Sequence, residues 1–152
     1  MKVTDYLREN QMDLNLTASS KEDAIRKLGI LLKNEKTVSD YGQFIKDIFE
    51  REALSSTGIG HHIAIPHTRT NTVKDFVIVF GRINDGLEFD ALDKKPVKLI
   101  FLMGTPKEKG LSDYLKILSS LTRRLDKEPF REQLLNASTP KEVIEIFRKV
   151  DC

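Results

Sequence analysis

Phe76-Val-Ile-Val-Phe-Gly-Arg-Ile83 and Lys98-Leu-Ile-Phe-Leu-Met103 are apolar runs too short for stand-alone helices and rich in β-formers. Both are predicted to be interior strands covered on two faces. Asn84-Asp85-Gly86 and Lys94-Lys95-Pro96 punctuate them as turn signals. Upstream, the alternation in Met12-Asp-Leu-Asn-Leu16 reads as a short strand, and Ser19 with Glu22 three positions on reads as a capping-box start for a helix. That helix carries Ala24, Ile25, Leu28, Leu31 and Leu32 on one stripe. A second, from about Ser39, carries Tyr41, Phe44, Ile45, Ile48 and Phe49 at buried-face spacing. Downstream, Leu111, Leu115, Leu118, Leu121 and Leu125 form one apolar seam on a helix ending near Asp126. Phe130 and Leu134 mark another helix. Thr139-Pro140 with Glu142 opens a last one carrying Val143, Ile144 and Phe147. Strands interleaved with helices imply an α/β fold, a three-layer α/β/α sandwich with a mixed β-sheet, in a single domain spanning 1–152.

The chain has 152 residues, 39% hydrophobic and 32% charged, with 25 Lys and Arg against 23 Asp and Glu. A formal charge of +2 is too balanced for wholesale capture of nucleic acid or anionic membrane, so neither is expected as a partner. The single cysteine, Cys152, is the last residue; it leaves no intrachain disulfide, fits a reducing compartment and is read as inert. The start, MKVTDYLREN, lacks the apolar run of a signal peptide, and no stretch approaches the length of a membrane span. A soluble, cytoplasmic protein is expected.

Between Ser55 and Thr72 the pattern changes to small residues, glycines, three histidines and a proline, with Ile63 to Ile65 strand-like. His67 directly follows that strand and Pro66, which places its ring at the edge of the sheet. Pro66 fixes its own φ and biases Ile65 to an extended form, so the mount is stiff. A neutral imidazole is a nucleophile able to hold phosphate transiently. Phosphoryl transfer needs donors aimed at the equatorial oxygens. Ser56, Thr57, Gly58 and Gly60 are candidate phosphate-binding residues, since glycines let main-chain amides approach an anion. Arg51 adds a charge-assisted fork, or else completes the dipole at a helix end.

The string from Arg51 to His67, with its Ser-Thr-Gly-Ile-Gly and Ile-Ala-Ile-Pro-His, resembles the enzyme IIA proteins of the fructose, mannitol and nitrogen-regulatory class of the phosphoenolpyruvate-dependent sugar phosphotransferase system. The resemblance continues through Leu87-Glu-Phe-Asp-Ala-Leu-Asp93, Pro96-Val97, Leu99-Ile-Phe-Leu102 and Tyr114 to Leu125, covering essentially the whole chain. It implies the same sandwich fold, with His67 as phosphoryl acceptor and Arg51 in contact with the phosphoryl group. It also implies that the phosphocarrier HPr charges His67 and that an enzyme IIB domain, on a separate chain, receives the phosphate. No cofactor is implied.

Two positions depart from the family pattern. Tyr114 stands where a second active-site histidine is common, and His62 stands where a small residue is typical, with His61 beside it. Tyr114 either donates its hydroxyl to the pocket or only flanks the leucine seam. His61 and His62 are possible supports for His67, but in an extended segment at most one can face it. A zinc site from His61, His62 and His67 lacks a nearby acidic residue, so no metal is expected. Arg69, two residues on, shares the face of His67 if the chain stays extended, as a phosphate or partner contact or as a solvated loop charge. Three functions from different classes follow. One is a phosphotransferase component for uptake of a sugar or sugar alcohol. The second is a regulatory protein that reports phosphorylation state by binding other proteins, and a binding module without turnover remains the third.

Overall fold

A computed structural model describes residues 2–151; Cys152 lies outside the described residues. In chain order the elements are β1 (Met12–Asp13), α1 (Lys21–Ile30), α2 (Tyr41–Leu54), β2 (Gly58–Gly60), β3 (Ile63–Ala64), β4 (His67–Thr70), β5 (Val77–Leu87), β6 (Val97–Pro106), α3 (Gly110–Leu125), α4 (Glu128–Asn136) and α5 (Pro140–Asp151). The sheet runs β1-β5-β6-β3-β2, and β4 also pairs with β6. It is mixed: β1 lies parallel to β5, β5 antiparallel to β6, β3 and β4 parallel to β6, and β2 antiparallel to β3.

Alternation along the two long strands sorts the core into layers, because successive side chains leave opposite faces. Ile78, Phe80, Leu99, Phe101 and Met103 pack with Ile117 and Leu121 of α3, Phe130 and Leu134 of α4, and Val143 and Phe147 of α5. Val77, Val79, Ile100 and Leu102 pack with Ala24, Ile25 and Leu28 of α1 and Phe44, Ile45 and Ile48 of α2. The α/β/α sandwich is therefore as the sequence predicts. On the second face Gly104 leaves room for Phe44, whose ring carbon would lie 2.6 Å from a β-carbon there. That close seat brings α2 down onto the sheet beside β4.

Four local expectations shift. The cap of α1 is Ser20, whose Oγ accepts the Asp23 amide at 3.1 Å, while the Asp23 carboxylate accepts the Ser19 amide. The strand after Phe76 does not stop at Asn84-Asp85-Gly86 but runs to Leu87 with a register shift after Arg82, and Gly86 takes φ +79° within that irregular stretch. The strand expected from Met12 to Leu16 pairs in regular register over two residues only, and beyond Asp13 it stays tied to β5 by single bonds to Arg82. The leucine seam of α3 is buried only in part. Leu121 and Leu125 are in the core with Ile117, whereas Leu111 and Leu115 are 56% and 49% exposed. In the first two turns the buried side is carried by Tyr114 and Ile117 instead, and periodicity alone does not tell core from an open apolar face.

Candidate active site

Segment 63–70 runs alongside β6 in two pieces: Ile63 pairs with Leu99 and His67 with Met103, so the register is kept across the break at Ile65-Pro66. Proline has no amide to give the ladder, yet its carbonyl accepts the Met103 N–H at 2.8 Å. His67 is thus fixed as the first residue of β4. Its ring is half-buried, and Nδ1 lies 2.7 Å from the Ile65 carbonyl oxygen. A carbonyl only accepts, so Nδ1 carries the proton and Nε2 of the neutral ring keeps its lone pair.

The ring opens into a cleft of about 530 Å³ that is also lined by Arg51 and Leu54 from the last turn of α2, Arg69 from β4, Lys107 and Tyr114. Three cations thus surround one half-buried imidazole, with Asp47 and Glu50 on the α2 side. His67 and Arg69 share one face of β4 while Thr68 and Thr70 are buried on the other. The Nε of Arg69 is buried with no hydrogen-bond partner, and its guanidinium sits 5.7 Å over the Tyr114 ring. Tyr114 itself stacks on His67, with centroids 5.9 Å apart and planes 29° apart. Arg51 donates to the Ser55 carbonyl at 3.1 Å, so it caps the helix end and lines the cleft at once. The two readings of Arg51 are not exclusive.

Burial, above all, lowers the His67 pKa from its ordinary value; the Arg51 charge lowers it further, while the Ile65 hydrogen bond and Glu52 oppose. The ring is neutral at neutral pH. A histidine whose folded value lies below its unfolded value near 6.5 contributes stability above that pH, and the contribution is lost as pH falls toward the folded value. Wild type is therefore expected to lose more stability between pH 7.5 and 5.5 than His67→Gln, as read from urea midpoints at each pH. Equal losses in the two proteins would contradict the burial of a neutral ring. Burial also raises the Tyr114 phenol, against the pull of Arg51 and Arg69, so it stays a proton-bearing donor.

Four expected phosphate contacts are corrected. The Thr57 amide and hydroxyl both donate to Glu52, at 2.8 and 2.5 Å. The Gly58 amide donates to Ser56 Oγ at 3.1 Å, and Ser56 Oγ donates to the Phe89 carbonyl at 2.8 Å. Gly60 lines a separate cleft with His61 and Arg123. None of Ser56, Thr57, Gly58 and Gly60 lines the His67 cleft: the two glycines belong to the β2 arm of a hairpin, where Gly58 lets Ala91 approach closely and Gly60 takes φ +101°.

His61 and His62 are corrected too. They are not extended but form the two-residue turn between β2 and β3, both at positive φ (55° and 66°), the backbone such a tight hairpin demands. His62 is spent on the Pro96 carbonyl, 2.7 Å from Nδ1. Neither lines the cleft of His67. The sequence reading missed Lys107, Leu54 and the buried Glu52. Lys107 follows Pro106 at the point where β6 ends, and its place became visible only once β4 and β6 were paired.

The site is thus a histidine with one free nitrogen, held on a stiff strand in a cleft that three cations line. Residues 5–150 match the family model described as phosphoenolpyruvate-dependent sugar phosphotransferase system, EIIA 2, and the chain belongs to that family. It is 38% identical over 153 residues to the fructose-specific EIIA component of Haloferax volcanii, covering 99% of each chain. It is 35% identical over 151 residues to the fructose-specific EIIABC component of Bacillus subtilis, where it spans 24% of that longer protein. Among solved structures, nitrogen regulatory protein IIA-Ntr from Neisseria meningitidis superposes with TM-score 0.88 at 33% identity, covering 95% of this chain and 98% of that one. A complex of enzyme IIA-mannitol with phosphorylated enzyme IIB-mannitol from Escherichia coli gives TM-score 0.79 at 25% identity, covering 94% and 97%. Among the described residues no helix is long and apolar enough to cross a membrane.

Proposed function

We propose that this chain is a phosphoryl carrier in which His67 Nε2 accepts phosphate from HPr and hands it to an enzyme IIB domain on a separate chain, for uptake of a sugar or sugar alcohol. The observation that carries the reading is the Nδ1 contact to the Ile65 carbonyl at 2.7 Å. It leaves Nε2 as the nucleophile in a cleft lined by Arg51, Arg69 and Lys107. In the transfer the donor's bond to phosphorus breaks as the Nε2–P bond forms, and the proton on Nδ1 stays in place. The protein's task is then charge stabilisation and alignment. Arg51 and Arg69 take the phosphate oxygens, and the unpartnered Arg69 Nε gains an acceptor when they arrive. Leu54, 82% exposed on the rim, and the open leucines of α3 give a carrier-protein partner an apolar surface. The reading puts the protein in the cytoplasm.

The test is incubation with phosphoenolpyruvate, enzyme I and HPr. Acid-labile, base-stable phosphate on His67 is expected, and no incorporation would end the assignment. Tyr114 is expected to serve as a neutral donor, with the arginines carrying the charge. Tyr114→His should therefore change the transfer rate by less than about tenfold, the worth of a hydrogen bond or so. A strong rise from near zero would instead mark the natural protein as impaired.

A second reading is supported by the likeness to IIA-Ntr: a regulatory protein that signals its phosphorylation state by binding other proteins. Phosphorylation of His67 is common to both readings. Transfer onward to a IIB domain, measured directly, separates them.

A further inference from the structure

Arg69 forms no ion pair among the described residues, although two carboxylates, Asp47 and Glu50, line the same cleft. Its side chain has no hydrogen bond there either, and its Nε is buried. Asp47 is already committed: one carboxylate oxygen accepts the Gln43 side-chain amide at 2.8 Å and the other the Thr70 hydroxyl at 2.7 Å. What the Arg69 guanidinium does meet is the ring of Tyr114, 5.7 Å from its centroid. That ring stacks in turn on His67, 5.9 Å between centroids, and packs against the core cluster below α3. His67 and Arg69 are two apart on one face of β4. A single aromatic side chain therefore touches both residues that β4 turns into the cleft.

We infer that Tyr114 is a positioning residue whose ring holds the Arg69 guanidinium beside His67 with its N–H donors uncommitted. The inference rests on the carrier reading for its effect on transfer, though not for the contact itself. A carboxylate would hold the same guanidinium more firmly, but through the N–H fork that a phosphoryl group needs. An aromatic face attracts the cation through its quadrupole and takes none of those donors. The arginine is then ordered before phosphate arrives, so less side-chain freedom is lost when it takes the equatorial oxygens. Arg51 is held differently, since its guanidinium already donates to the Ser55 carbonyl. Because the Tyr114 ring also lies against His67, one rigid group anchored in the core sets the spacing of cation and nucleophile. A protonated imidazole at position 114 would repel Arg69 where the neutral phenol ring seats it.

The experiment compares phosphoryl uptake from HPr by Tyr114→Phe and Tyr114→Leu, each made with Arg69 in place and again with Arg69→Ala. Phenylalanine removes only the hydroxyl; leucine removes the aromatic face while staying apolar. With Arg69 in place, the leucine variant is expected to be about tenfold slower than the phenylalanine variant, the cost of misplacing one cation. With Arg69→Ala, the two should agree within about twofold, because the ring acts through the arginine. The same gap in both backgrounds, or no gap with Arg69 in place, would overturn the inference. A second readout is the Arg69 Nε–H resonance, protected from exchange by burial and assigned by its loss in Arg69→Ala. The ring current is expected to hold it upfield in wild type and Tyr114→Phe and to release it downfield in Tyr114→Leu. An unmoved resonance in the leucine variant contradicts the contact. This readout needs no phosphoryl donor: if the wild type takes up no phosphate, the carrier reading fails while the hold on Arg69 is still decided. If leucine unfolds the protein, Tyr114→Met, whose unbranched chain adapts to the packing, replaces it in both measurements.

Discussion

His67→Gln is expected to take up no phosphate from HPr and to pass none on, with the fold intact. The imidazole is the acceptor itself, so its loss removes the covalent intermediate and not merely a fraction of its rate. Glutamine is chosen because its side chain remains polar at a half-buried position and can still donate toward the Ile65 carbonyl. The backbone of β4 is held independently of the ring, through the Pro66 carbonyl to Met103 and the pairing with β6. Phosphate incorporation into purified variant, with donor proteins in excess, is the measurement. Retained acid-labile phosphate would move the acceptor to His61 or His62, the other histidines of the chain, neither of which lies in the cleft.

The largest expected effect on stability lies far from the chemistry. Arg82→Ala should cost about 3 to 5 kcal/mol, the range for a buried charged group whose partners are left unpaired. Arg82 stands in the middle of β5, 7% exposed. Its guanidinium donates to the carbonyls of Leu134, Leu135 and Ala137 at 3.0, 3.3 and 2.6 Å, and its Nε donates to the Leu14 carbonyl at 3.1 Å. One side chain therefore satisfies the end of α4 and places a positive charge at the negative end of that helix dipole. It also ties the segment after β1 to β5, since the Arg82 carbonyl accepts the Leu16 amide. Arg82→Lys should recover only part of the loss, because lysine carries all its donors on one terminal nitrogen and has none in place of the Nε that donates to Leu14. Urea unfolding of the two variants checks this; a loss under about 1 kcal/mol for alanine would show that water replaces the guanidinium.

Those two residues mark what the sequence made legible. The sandwich was readable because Val77 to Ile83 and Leu99 to Met103 carry apolar residues on both alternating faces, which only a sheet between two helical layers can bury. The place of His67 at the start of β4 was readable from Ile65-Pro66-His67, whereas its role as acceptor was an expectation of the resemblance that runs from Arg51 to His67. Arg82 was not readable, since a charge inside an apolar run has no partner nearby in sequence and its acceptors lie more than fifty residues away on either side. The glycines from Gly58 to Gly60 misled because a tight hairpin and an anion cradle ask for the same residue type. His61 and His62 misled for a related reason: the left-handed turn they adopt is usually signalled by Asn or Gly. Glu52 and Arg51 are neighbours in the chain, yet α2 sends Arg51 to the cleft and Glu52 into the protein, an arrangement set by how Phe44, Ile45 and Ile48 seat the helix on the sheet.

The most direct test of the central claim is the phosphorus–nitrogen coupling in nitrogen-15-labelled protein after phosphorylation. A one-bond coupling to Nε2 of His67, with Nδ1 still bearing its proton toward the Ile65 carbonyl, is the expected result. Phosphate on Nδ1, or on any other histidine, would contradict it.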